Sequence, residues 1–263
     1  MNGYTDKTAR EIEEQHLAVQ IDLQNLMLEC VRQGQQLTEP LAQEHLVRGS
    51  GRRLRTLARS SQNIFALFPI STQQPLPSEA LSDVQIQLHA FLINLYGLFE
   101  NFGWAFVLRH GLLDAVGGRM GVGLFNARTQ KFLPKALREY FLEAQVQQWH
   151  AKYLKSYRDA LAHRIPPYVP PATFTPEQGQ RFNELSSEEV EAIKAQDWGR
   201  IEEARAEKQN LGQPSWAFLH AFTEADPPRP IMLHGQVVTD GMTVAEAGKT
   251  FLTHWHSLGQ VSS

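Results

Sequence analysis

The sequence predicts a mainly α-helical protein, a helical bundle followed by a small C-terminal α/β appendage with one short hairpin. Three observations lead there. Apolar residues recur at helical spacing through most of the chain before Pro166. Prolines then cluster as Pro166-Pro167 and Pro170-Pro171, and proline ends helices because it lacks an amide donor and restricts the residue before it. Beyond them, two apolar runs flank Asp226-Pro227-Pro228-Arg229-Pro230, the composition of a connector between strands. The expected division is residues 1–170 as the bundle and 171–263 as an acidic appendage of helix, hairpin and helix.

Each element has its own signal. Thr5 or Asp6 caps a long amphipathic helix that Gly34 can end, with Ile12, Leu17, Val19, Leu23, Leu26 and Met27 supplying apolar spacing. A second helix starts near Thr38, with Pro40 in its first turn, and Gly49-Ser50-Gly51 should break or kink it. Helix resumes from Arg52 to Phe68. On it Leu54, Leu57, Ser61, Ile64, Phe65 and Phe68 share one side, while Arg52, Arg55 and Arg59 lie nearly opposite. That arginine face is either solvated or a phosphate-contacting stripe, since no acidic residue dilutes it.

After the loop Pro75-Leu76-Pro77, a helix from Ser78 to about His110 is apolar around most of its circumference, the mark of a central helix. Gln87, Asn94 and Asn101 recur every seven residues on it, and core hydrogen bonding or a subunit seam explains them at least as well as a binding site does. Gly117 to Gly123 reads as a connector, because no Lys-Ser/Thr ending makes it a phosphate loop. Leu133 to Ala144 and Val146 to Arg164 read as further helix. In the appendage, Ser186-Ser187-Glu188-Glu189 reads as a solvated helix start, Trp216–Phe222 and Ile231–Val238 as strands, and Thr243–Trp255 as the last helix.

The 263 residues carry a net charge of −3, which excludes a uniformly basic, histone-like chain. The charge is unevenly placed. Up to Pro170 there are 18 Lys and Arg against 15 Asp and Glu; after it there are 7 against 13. The body is therefore mildly basic and the tail acidic. The single cysteine, Cys30, excludes a disulfide framework and a cysteine-based zinc site. No histidine pair has ligand spacing, so no metal and no cofactor are expected. The apolar stretch from Ala90 to Leu108 is interrupted by Asn94, Glu100 and Asn101, which argues against a membrane span. The expectation is a protein of a reducing, cytoplasmic compartment.

The most informative stretch is Tyr157-Arg158-Asp159-Ala160-Leu161-Ala162-His163-Arg164-Ile165-Pro166. Arg158 and His163 form R-x-x-x-x-H at the end of a helix. Arginine is permanently charged and grips phosphate with two donors. Histidine moves protons near neutral pH. Asp159 stands four residues before His163, on the same helix face, where it can orient the imidazole.

In a helical context this motif resembles that of the HEPN superfamily (higher eukaryotes and prokaryotes nucleotide-binding). The resemblance is close over the motif and loose over the helical body from about Thr5 to Pro167. It implies an α-helical bundle, commonly dimeric, whose members are in many cases metal-independent endoribonucleases. Arg158 and His163 would then be the active pair, with Asp159 at a polar position where asparagine is frequent in active members. Other members have lost catalysis and serve as nucleotide-binding, interaction or structural modules. Arg158 and His163 stand about 140° apart around a helix, so a homodimer acting on RNA with a shared groove is the expectation. The rival is a non-enzymatic interaction or structural module in which both residues serve the fold.

Overall fold

Local signals set most of the helix ends. In the computed structural model, which describes residues 3–259, Thr5 accepts a hydrogen bond from the Thr8 amide and opens α1 (Asp6–Gly34). Glu39 caps α2 (Pro40–Gln43), where proline stands at a first-turn position that has no amide partner to lose. Helix then continues without interruption. A π-helical segment, Glu44–Ser50, joins α2 to α3 (Gly51–Leu67). The expected disturbance at Gly49-Ser50-Gly51 is thus a change of helical pitch, not a gap.

The long α4 (Ser78–Arg109) is the centre of the bundle. It buries Leu88, Phe91, Leu95, Leu98, Phe102 and Phe106 among others. It is long and apolar enough to cross a membrane by length and composition, yet most of its apolar window is buried inside the bundle. On its polar seam Asn94 accepts from Arg53 Nη1 at 3.1 Å, and Asn101 donates to the Gly97 carbonyl at 2.9 Å. Both serve packing within one chain.

A loop with a short 3₁₀ turn leads to α5 (Ala127–Gln130), α6 (Lys135–Leu142) and α7 (Ala144–Gln148). A second π-helical segment, Trp149–Leu154, runs into α8 (Lys155–His163). The proline segment then adds Tyr168 to the hairpin edge through an antiparallel bridge to Leu219.

The C-terminal third departs from expectation in three places. α9 (Pro176–Ala195) begins at a capping box of Thr175 and Gln178, ten residues before the expected start at Ser186. It pairs with α10 (Trp198–Gln209), and Glu189 is tied to Arg205 and Lys208 across that helical hairpin. The strands are shorter than the apolar runs: β1 (Ala217–His220) pairs antiparallel with β2 (Arg229–Met232), so β2 takes up the end of the expected connector. The rest of the run, Leu233 to Val238, opens α11 (Leu233–His254), ten residues before Thr243.

The physical reason lies in burial. Leu233, Val237, Val238, Gly241, Val244, Ala247, Gly248, Phe251 and Leu252 are buried along one helical face, and that tertiary face outweighs the strand preference of valine. α11 lies along α1. Gln33 of α1 donates to the Leu252 carbonyl at 3.0 Å and accepts from the Trp255 indole. The hydrophobic core therefore runs across residue 170, joining Phe102 to Phe251 and Phe68 to Trp216 by stacked rings.

Candidate functional site at the Arg158 cleft

Close packing brings the site together. Gly97 on α4 carries no side chain, and the Arg53 guanidinium lies where a Cβ would stand, 2.3 Å away. Six residues on, a Cβ on Gly103 would meet the Gly123 backbone at 2.8 Å, so the connector lies directly on α4. At Gly103 the neighbour is backbone and only glycine permits the approach, whereas at Gly97 a side chain would displace the Arg53 guanidinium. The connector then sets Phe125 edge-on to Phe99 of α4, where it lines a cleft together with Tyr96 and Glu100. α8 packs on the same stretch of α4 and supplies Arg158.

These residues form a cleft of about 440 Å³, lined in part by Tyr96, Glu100, Phe125, His150, Lys155 and Arg158. The Arg158 guanidinium sits over the Tyr96 ring, 4.8 Å from its centroid. Its Nη1 lies 3.0 Å from Asp159 Oδ1, and its Nη2 reaches the Tyr96 hydroxyl at 3.4 Å. Its Nε is buried and has no hydrogen-bond partner among the described residues. His150 stacks on Phe125 at 3.7 Å with an interplanar angle of 8°.

The electrostatics follow from burial. Burial raises the Glu100 carboxyl above its usual range, against the pull of Tyr96, Arg158 and Arg53. Burial raises Tyr96 as well, with Glu100 adding to it. Burial lowers His150 to about 4, and the charges of Lys155 and Arg158 push the same way. The cleft thus presents two basic side chains, the Glu100 carboxyl, an imidazole that is uncharged at neutral pH and flat aromatic walls. That set suits an anionic group attached to a planar ring.

Arg158 is in this cleft; His163 is not. His163 is the last residue of α8 and is exposed. Asp159 is engaged with Arg158 rather than with the imidazole. The α3 arginines Arg52, Arg55 and Arg59 all lie on the exposed face, with Arg59 donating to Gln62 at 2.9 Å. Arg53, one position away, turns inward and braces the cleft through Asn94 and Gly97. Trp149 and Tyr157 face the core: the Trp149 indole donates to buried Asp240 at 2.9 Å, and Tyr157 is fully buried.

Tyr96, Glu100, Phe125 and His150 carried no local signal in the sequence, because they join Arg158 only through tertiary packing. No family model, curated protein or solved structure matches the chain.

Proposed function

We propose that the chain is an RNA-directed protein, a HEPN-like metal-independent endoribonuclease in which Arg158 holds the scissile phosphate and His163 of the partner subunit transfers a proton. The observation that carries this reading is the setting of Arg158, a half-buried guanidinium that lines an aromatic-walled cleft with Lys155, its buried Nε without a partner among the described residues.

The chemistry is attack by the 2′-oxygen on phosphorus with departure of the 5′-oxygen. Arg158 stabilises the charge that grows on the phosphate oxygens, an effect that is large in a partly dry site. A positioned histidine contributes about 10²–10⁴-fold through proton transfer. Within one chain Arg158 leans on Tyr96 while His163 stands exposed at the helix end, about 140° round the helix. A second copy supplies the missing partner. The exposed arginines of α3 add contacts to the RNA backbone.

A second reading, the non-enzymatic interaction module, is favoured by one observation: Arg158 is already held by Asp159 and Tyr96. Cleavage assays separate the two. In excess EDTA, purified protein should cut single-stranded RNA and leave 2′,3′-cyclic phosphate ends. Arg158→Ala and His163→Ala should each lower the rate at least about 100-fold without changing the helical circular dichroism. A folded protein that leaves a varied set of RNAs intact would establish the module instead.

A further inference from the structure

We infer that His150 is a further catalytic residue, accepting the 2′-hydroxyl proton of an RNA whose phosphate lies on Arg158 and Lys155. The inference rests on the reading of the cleft as an RNA site. It adds the proton acceptor that the R-x-x-x-x-H pattern does not provide within one chain.

Helical pitch is the first support. Eight residues separate His150 from Arg158, which on a regular α-helix leaves them about 80° apart. The π-helical segment Trp149–Leu154 turns the chain less per residue, and His150 lines the same cleft as Arg158. Such segments recur at functional sites. The Phe125 stack fixes the ring plane, and Tyr96 lies on the cleft side, with its centroid 6.2 Å away. Among the described residues none hydrogen-bonds the His150 ring, which leaves it to meet a ligand.

Electrostatics is the second support. The groups facing His150 are Lys155 and Arg158 from its own helical run and Tyr96 and Glu100 from α4. Burial and the two cations keep the imidazole uncharged at neutral pH. A bound phosphate offsets both cations and restores basicity when the substrate arrives.

The step balances as follows. The O2′–H bond breaks and its proton passes to a ring nitrogen of His150. The oxygen electron pair forms the P–O2′ bond, and the P–O5′ bond breaks. The departing O5′ takes a proton from the imidazolium of the partner subunit's His163. Water then receives the His150 proton and reprotonates the partner subunit's His163.

Two measurements on the full chain test this. The first follows the His150 ring by NMR through a pH titration, alone and with inorganic phosphate or a 2′-deoxy dinucleotide, neither of which can be cleaved. The midpoint should rise by about one unit with either probe and should not move in Arg158→Ala. The second compares RNA cleavage by wild type, His150→Phe, which keeps the ring stack on Phe125, and His150→Gln. Both variants should stay folded and lose at least about 100-fold in rate. Wild-type cleavage with undiminished rates in both variants overturns the role of His150 and leaves the ribonuclease reading in place. No wild-type cleavage overturns both, and a midpoint that still rises then marks a phosphate-binding cleft without chemistry.

Discussion

Asp240 is the side chain whose environment makes the sharpest demand on the fold. It is fully buried on α11; its Oδ1 accepts from Trp149 and Gln236, both at 2.9 Å, and its Oδ2 has no partner among the described residues. Burial raises its carboxyl from 3.8 to about 6, against those two hydrogen bonds. The folded state therefore prefers the protonated acid. Its stabilising contribution is complete below about pH 4 and is lost as pH rises through 6. Asp240→Asn keeps an acceptor for Trp149 and removes the ionisation. It should stabilise the protein at pH 8 by up to about 3 kcal/mol and by much less at pH 4, as read from urea melts at the two pH values. At the same scale, the site was half legible in the sequence. Arg158 announced itself through spacing to His163, whereas His150, Phe125 and Glu100 lie on other segments, and no local pattern links them. Arg53 was passed over because its neighbours Arg52 and Arg55 define the exposed face, and only the missing side chain at Gly97 shows where it turns.

Among the elements, α11 shows what local reading misses. Its first six residues are rich in β-branched and apolar side chains, so Ile231–Val238 reads as a strand. Contact with α1 makes it a helix. The same alternation of Leu233, Val237, Val238, Gly241 and Val244 carries a helical period, and reading it through to Phe251 would have recovered the element. α1, α3 and α4 were legible because their apolar residues repeat over many turns, and only α1 opens on a side-chain cap. The two π-helical segments were not, since a shift of pitch leaves the apolar spacing nearly unchanged. Phe251 is fully buried and stacks on Phe102 at 4.6 Å. Phe251→Ala should cost about 3–5 kcal/mol of global stability, and chemical denaturation should show one cooperative transition. Loss confined to the C-terminal third, with an unchanged bundle, would mean that α11 is an independent appendage. α3 carries its own prediction. If Arg52, Arg55 and Arg59 contact phosphates, replacing all three by Gln should flatten the slope of log affinity for single-stranded RNA against log salt by about 2. An unchanged slope returns that face to solvent.

At the scale of the whole molecule, the account turns on how two copies share the chemistry. One chain presents Arg158 inside a cleft and His163 outside it, so the proposal requires that the partner bring the second group. Light scattering on the purified protein should give the mass of a homodimer, about twice 29.8 kDa. A stable monomer with full activity would require a different acid for the leaving oxygen. The decisive measurement is complementation between inactive variants. Arg158→Ala and His163→Ala are each expected to be folded and inactive. Mixed in equal amounts and allowed to exchange subunits, half of the dimers are mixed, and each mixed dimer holds one intact composite site of two. Cleavage of RNA in excess EDTA should then return to about a quarter of the wild-type rate, as random pairing of exchanging subunits dictates. A mixture that remains as inactive as either variant alone, while mixed dimers are shown to form, would contradict a site shared between Arg158 and the partner subunit's His163.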